Sequence, residues 1–229
     1  MLDAHVVKRR RDVLVDVRVA VGDGAALGLF GPSGAGKSTV LSCIAGIEDP
    51  DDGVIRFDGR TLFPEPPPLH GRGVGYLTQD ANLFPHLRVA DNVTFGAGID
   101  PRDSWIAELR ESLQLEAFWA SPAYAISGGQ ARRVALARML APRPRLVLLD
   151  EPFTGLDRHL VRDLLDALAT WQRRLRFTMV VVDHEPEILE RISPNVVAIE
   201  KGIVVQSGSW RELREAPATE LLARLLAPL

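Results

Sequence analysis

The sequence predicts an α/β fold: a mostly parallel sheet with an N-terminal antiparallel β subdomain and an inserted helical subdomain. Three observations predict it. Short apolar runs at Ala25–Phe30, Leu146–Leu149 and Met179–Val182 have the length and composition of buried strands, and helical spacing follows the first two. From about Asp91 to Ala141 the pattern is mainly helical, with no strand-like run. Gly31–Thr39, reading GPSGAGKST, fits the phosphate-binding pattern G-x-x-x-x-G-K-S/T in full and joins one of those strands to a helix.

Taken in order, Val13, Val15, Val17, Val19 and Val21 alternate with Leu14, Asp16, Arg18 and Ala20, which is the period of a strand with one buried face. Gly22-Asp23-Gly24 turns the chain into the Ala25–Phe30 strand, and the basic run Lys8-Arg9-Arg10-Arg11 is placed in the turn before the valines. Val40, Leu41 and Ile44 mark the helix after the phosphate loop, with Cys43 packed inside it. Val54–Phe57 reads as a short strand ending at Asp58-Gly59. Pro64–Pro68 is a surface loop, and Gly73–Leu77 a central strand with Gln79 at its exit.

In the helical stretch, Ile106, Leu109 and Leu113 share one helix face, and Val134, Ala137, Met139 and Leu140 belong to another helix. The core then resumes with Leu146–Leu149, a helix through Leu160, Leu164, Leu165 and Leu168, and the Met179–Val182 strand. Val196–Ile199 and Ile203–Val205 form a closing hairpin through Lys201-Gly202. The tail from Trp210 ends in an amphipathic helix bearing Leu221, Leu222, Leu225 and Leu226 that packs on the rest. The chain is therefore expected to be one domain, with its core at about residues 1–80 and 142–229 and the helical subdomain at about 81–141.

Composition narrows the function classes. The chain has 229 residues, 46% hydrophobic and 25% charged, as expected for a globular protein with a sizeable core. With 27 basic and 30 acidic residues its formal charge is −3, so bulk charge gives no grip on nucleic acid and any anion must bind at a local site. Cys43 is the sole cysteine, which excludes an internal disulfide and fits a reducing compartment. No run approaches the roughly 20 apolar residues that span a bilayer, and the N-terminus lacks a secretory h-region. Work on a membrane would then go through a partner.

The chemistry begins in the glycine loop. Successive backbone N–H groups of Gly31, Pro32, Ser33, Gly34, Ala35 and Gly36, proline excepted, can turn inward on a polyphosphate. Lys37 adds a point charge, Ser38 a hydroxyl for Mg²⁺, and Thr39 lies in the helix start whose positive end helps. Asp150 and Glu151 end the Leu146 strand, at the side of an open α/β sheet where ligands bind. Their roles divide: Asp150 stays ionised and holds the metal, while Glu151 orients and deprotonates an attacking water.

Ile126-Ser127-Gly128-Gly129-Gln130 resembles the L-S-G-G-Q signature of ATP-binding cassette (ABC) ATPases. Its companions stand in the family's order: the phosphate loop, Gln79, Asp150-Glu151, Thr154-Gly155-Leu156-Asp157 as the D-loop, and His184 after the last core strand. The resemblance covers nearly the whole chain and implies a P-loop NTPase core that hydrolyses ATP with Mg²⁺ held by Ser38, Gln79 and Asp150. By the same resemblance Gln79 also reaches the attacking water, His184 contacts the γ-phosphate, and Lys37 and Glu151 complete the catalytic set. Two copies are expected to pack head to tail, so that Ser127, Gly128, Gly129 and Gln130 at a helix start close on the partner's nucleotide, with Asp157 coupling the two sites.

The resemblance further implies a peripheral subunit on the cytoplasmic face of a membrane, driving permease subunits and, through them, serving a solute-binding protein. Asn82–Val93 looks like the docking segment of importers, and Leu83, Phe84 and Leu87 serve both docking and subdomain packing. Two other readings compete: a soluble ABC ATPase of repair or translation, and a nucleotide-binding regulator without hydrolysis. The first lacks here its tandem cassette or coiled-coil insertion, and intact Glu151 and His184 oppose the second.

One family feature is missing. Residues 1–29 contain no Tyr, Phe or Trp to stack on adenine, and the matching region offers Arg9 or Arg10, whose guanidinium plane can stack instead. Leu29–Lys37 and Leu83–Leu87 most resemble ATPases of molybdate-type oxyanion importers, with another solute such as sulfate, iron or a polyamine as the alternative. The molybdate-type ATPases commonly carry a C-terminal sensing domain, and the chain is expected to end at Leu229 without one.

Overall fold

A computed structural model describes residues 1–11, 13–68, 71–96 and 99–227; Leu229, the expected chain end, lies outside them. Among the described residues ten strands are formed: β1 (Leu2–Arg10), β2 (Val13–Val21), β3 (Ala26–Phe30), β4 (Asp52–Phe57), β5 (Arg60–Phe63), β6 (Val74–Leu77), β7 (Leu146–Asp150), β8 (Thr178–Val182), β9 (Asn195–Glu200) and β10 (Ile203–Ser209). They make one sheet in the order β5-β4-β1-β2-β10-β9-β3-β8-β7-β6. From β9 to β6 every pair is parallel. The β1, β2, β4 and β5 strands pair antiparallel, and β10 joins the two regions by lying parallel to β2 and antiparallel to β9.

The helices are α1 (Lys37–Ala45), α2 (Val89–Val93), α3 (Ser104–Ser112), α4 (Gly128–Leu140), α5 (Arg158–Leu175), α6 (Pro186–Ile192), α7 (Trp210–Glu215) and α8 (Glu220–Leu226). Side chains alternate across the parallel strands, because successive Cβ atoms leave a strand on opposite faces. Leu27, Leu29, Leu146, Leu148, Val180 and Val182 pack with α1 and the N-terminal strands. Val147, Leu149, Met179 and Val181 pack with α4, α5 and the helical insertion. No helix among the described residues is long and apolar enough to cross a membrane.

Two local expectations are corrected, and two elements are added to those expected. Lys8, Arg9 and Arg10 are not in a turn: they continue β1, opposite Val15, Leu14 and Val13 of β2. The buried alternation of Leu2, Ala4 and Val6 carries the strand into them, and Lys8 is tied to Asp51 at 2.7 Å. Arg60–Phe63, beyond the Asp58-Gly59 turn, is a strand in its own right. The Val74–Leu77 strand is not central but the sheet edge, pairing with β7 alone. It is apolar because both its faces are covered: Val74 and Tyr76 join the α1 side, and a Cβ on Gly75 would stand 2.6 Å from Met139 Sδ of α4. The C-terminal tail is two short helices, each started by a side-chain cap, Ser209 for α7 and Thr219 for α8.

Parallel pairing of β3, β7 and β8 brings three chain exits to one edge of the sheet. Phe30 leads into Gly31, Asp150 into Glu151, and Val182 into Asp183 and His184. Residues far apart in sequence thereby share one surface.

Candidate functional site

A cleft of about 610 Å³ lies at those strand ends. It is lined by the whole Gly31–Thr39 loop together with Gln79, Glu151 and His184, so the predicted catalytic groups Lys37, Gln79, Glu151 and His184 meet in one place. The loop needs its glycines for close approach. A Cβ on Gly31, at φ 141°, would stand 2.1 Å from the Ile199 carbonyl oxygen, and one on Gly36, at φ 101°, 2.7 Å from a Val15 methyl.

Gly36 also starts α1 without any side-chain cap. The first N–H groups of that helix therefore have no partner supplied by a capping side chain, and they open toward the loop. By contrast α4 is capped by Ser127 and α5 by Asp157. The short helices α2 and α6 also lack a side-chain cap, but of these three only α1 starts in residues that line the cleft, where an anionic ligand would meet its N–H groups.

Lys37 is 9% exposed, and its ammonium donates to the carbonyl oxygens of Gly31 at 2.7 Å and Pro32 at 2.8 Å. Burial holds its pKa below the ordinary value, opposed by the charges of Glu151, Asp150 and Asp183. Asp150, 3% exposed, is pushed up by burial, and a hydrogen bond from the Ser38 hydroxyl acts against that shift. A hydroxyl and a carboxylate together, with the Gln79 carboxamide lining the same cleft, are hard oxygen donors of the kind Mg²⁺ takes. The residues present fit a magnesium nucleotide.

Glu151 adopts φ 47°, a left-handed backbone conformation that L side chains seldom take. Its amide donates to the Val182 carbonyl at 2.9 Å, anchoring it to the neighbouring strand end, and Thr154 Oγ1 donates to its carboxylate at 3.4 Å. His184 has its ring largely in solvent, with Nδ1 3.5 Å from the buried Asp183 carboxylate. That carboxylate accepts the backbone N–H groups of His184 at 2.8 Å and Glu185 at 3.0 Å, so it shapes the loop that presents the imidazole.

Ser127, Gly128, Gly129 and Gln130 do not line the cleft. They form the start of α4 as a capping box: Ser127 Oγ accepts from the Gln130 amide at 3.3 Å and the Ser127 amide donates to Gln130 Oε1 at 2.8 Å. A Cβ on Gly129 would stand 2.9 Å from the Gly155 carbonyl oxygen, so this turn touches the Thr154–Asp157 segment of its own chain. Asp157 itself caps α5, accepting from the Leu160 amide at 2.9 Å.

At the other end of the cleft the arginines part company. Arg10 lines it, and Arg9 does not, because neighbours on a strand point to opposite faces. Arg10 Nη2 is paired with Glu48, which holds its guanidinium, while the Arg9 amide donates to Asp51 at 2.7 Å. Sequence reading missed five lining residues: Arg11, Val13, Val15, Phe30, and Leu225 from α8. Nothing in the spacing of Leu225 marks it as a cleft residue, since its neighbour Leu222 is buried in the core.

The Asn82–Val93 segment, expected to dock a partner, is built around Asn92, a fully buried amide. It accepts the Phe84 N–H at 2.9 Å and donates to the carbonyls of Phe84 and Arg88, both at 3.1 Å. Arg138 of α4 holds the Ala81 and Asn82 carbonyls and lies 5.5 Å over the Phe84 ring. Phe84 packs on Phe95 at 4.3 Å, and Phe95 remains 55% exposed. This leaves an aromatic surface unpartnered within the described residues.

Residues 14–154 match a protein family described as ABC transporter. A probable sulfate/thiosulfate import ATP-binding protein of Chlorella vulgaris is 38% identical over 92% of this chain and 90% of its own length. A Fe(3+) ions import ATP-binding protein of Pectobacterium atrosepticum is 38% identical, with 99% and 68% covered. A spermidine/putrescine import ATP-binding protein of Marinobacter nauticus is also 38% identical, but this chain spans only 59% of it. Among solved structures, a dimeric post-hydrolysis state of an ATP-binding cassette bound to ADP and Pi superposes with TM-score 0.81 at 25% identity, covering 91% of this chain and 98% of that one. These relatives give the expected molybdate likeness no support: their names carry sulfate, iron and polyamines.

Proposed function

This chain belongs to the ABC transporter ATP-binding family and is an ATPase of the importer type, and we propose that it works as a head-to-tail homodimer driving permease subunits from the cytoplasmic face of a membrane. In this reading it is one ABC ATPase domain, with its core at about 1–80 and 142–229 and the helical subdomain at about 81–141. The observation that carries the proposal is the separation of two half-sites. The cleft gathers Gly31–Thr39, Gln79, Glu151 and His184, whereas Ser127 and its glycines cap α4 elsewhere. One chain holds each half and needs a second copy to complete a site.

Within the cleft, the loop amides and the uncapped start of α1 bind the polyphosphate of ATP, and Lys37 adds positive charge to its outer end. Ser38, Asp150 and Gln79 are the residues that would hold Mg²⁺, which when bound supplies charge neutralisation at the phosphates. Glu151 takes a proton from the attacking water, and Gln79 and His184 orient that water and the terminal phosphate. Arg10 stacks its guanidinium on the base, with Leu225 and Val13 supplying apolar wall. The Ser127 hydroxyl, whose oxygen accepts the Gln130 amide, keeps its own O–H free for the partner's γ-phosphate.

Phe84, Phe95 and the exposed Tyr124 offer the permease a partly apolar grip, which Asn92 and Arg138 hold in place. The solute is bound by permease and binding protein, and the relatives' names point to small ions or polyamines as its class. Phosphate release from ATP and Mg²⁺ by the purified chain, beside Glu151→Gln, tests the reading. Loss of release in the variant supports it, and release at the wild-type rate overturns the role of Glu151.

A further inference from the structure

Arg132 lies on α4, just beyond the Ser127–Gln130 turn, and is 4% exposed. A buried guanidinium normally meets a carboxylate; this one meets only backbone carbonyls. Nε donates to Pro152 at 3.1 Å, Nη1 to Thr78 and, at 3.0 Å, to Gln79, and Nη2 to Asp150 and, at 2.6 Å, to Glu151. All five N–H donors of the fork are used. They reach two chain segments, the exit of β6 and the exit of β7, from a third element, α4.

The bond to Glu151 matters most, because Glu151 holds the left-handed φ of 47°. Such a conformation persists only where its surroundings over-determine it. Here the Glu151 amide is fixed by Val182 on one side, and its carbonyl by Arg132 on the other. The same guanidinium holds the carbonyl of Gln79, whose side chain lines the cleft. Lysine could not replace it, since a point ammonium with three donors cannot span carbonyls spread over two segments.

We propose that Arg132 is a positioning residue for ATP hydrolysis: it sets the backbones of Glu151 and Gln79 toward the attacking water and ties that geometry to the helix begun by Ser127. The proposal deepens, and rests on, the assignment of Glu151 as base. Movement of α4 relative to the sheet would then shift base and glutamine together, so that the signature turn and the water-activating groups respond as one body.

The test compares kcat and KM for ATP, ATP affinity, and thermal stability in wild type, Arg132→Lys, Arg132→Gln, Glu151→Gln and the double variant Arg132→Lys with Glu151→Gln. Misplacing a catalytic group by about 1 Å costs on the order of a hundredfold in rate, so Arg132→Lys is expected to lower kcat by about that factor with KM and affinity within about twofold. Because Arg132 acts through Glu151, the double variant should be no slower than Glu151→Gln alone. Wild-type turnover in Arg132→Lys overturns the proposal, as does affinity falling in step with kcat, or a further large loss in the double variant. If Arg132→Lys and Arg132→Gln both accumulate only as unfolded chain, Arg132 is a stability residue and the proposal also fails. Glu151→Gln turning over like wild type sinks the base assignment and this proposal with it. A slow Glu151→Gln beside a normal Arg132→Lys sinks the proposal alone.

Discussion

The ammonium nitrogen of Lys37 lies 2.7 Å from the carbonyl oxygen of Gly31, so the lysine curls back over the loop that carries it. Both ends of the phosphate loop are thereby joined by one side chain. The charge is buried without a carboxylate in contact, which is a costly arrangement unless an anion arrives to meet it.

Lys37→Ala removes that waiting charge. A hydrogen bond to a charged group contributes about 1.5–3 kcal/mol, so ATP affinity should fall about ten- to a hundredfold, as measured by calorimetric titration. The thermal stability of the nucleotide-free protein should fall little or rise, because the desolvated ammonium goes too.

Glu151→Gln keeps shape and hydrogen bonding but cannot take a proton. ATP binding should persist while kcat drops by about 10²–10⁴, and ATP-bound dimers should accumulate on size-exclusion chromatography with light scattering.

Arg10→Ala tests the base contact. Cation–π stacking contributes about 0.5–2 kcal/mol, so ATP affinity should weaken about two- to thirtyfold, while Arg9→Ala leaves it unchanged because Arg9 does not line the cleft. The wild type should separate ATP from GTP only weakly, which competition binding reads directly.

Gly31→Ala places a Cβ 2.1 Å from the Ile199 carbonyl oxygen at a backbone φ of 141°. Strain of this kind costs about 1–3 kcal/mol, and thermal melts should show the midpoint falling by several degrees with loss of nucleotide binding.

Asp103 caps α3 and forms a two-pronged pair with Arg143, both bonds at 2.8 Å. Hydrogen bonding from Arg143 and from the Trp105 amide pulls its carboxyl down to about 2. A depressed folded pKa means stability that is present above the ordinary value of 3.8 and is lost as pH falls through about 2. Asp103→Asn should therefore unfold at lower urea than wild type near neutral pH, with the difference closing between about pH 4 and pH 2 and shrinking in high salt.

Much of the site was legible because its chemistry is local. Gly31–Thr39 needs consecutive residues to make one turn, and Asp150-Glu151 needs only an apolar strand before it, so both are visible as short strings. The errors have equally local causes. The valine period stops at Val13, which hid the strand character of Lys8–Arg10, while β6 looked central because helices cover both of its faces. Leu225 and Arg132 were hidden for another reason: each sits in a helix whose spacing explains it as packing, and its partners lie far away in the chain.

The sequence by itself determined most of the elements, the phosphate-loop turn, the paired carboxylates and the family they belong to. These depend on residue type, period and short spacing, which are properties of neighbours along the chain. Only the tertiary structure decided that Arg10 faces the cleft and Arg9 does not, that Ser127 and Gln130 close into a capping box outside that cleft, and that one buried guanidinium holds Gln79 and Glu151. Those are matters of strand parity, parallel register and carbonyl direction, and they arise only when β3, β7 and β8 align their ends and α4 packs behind them.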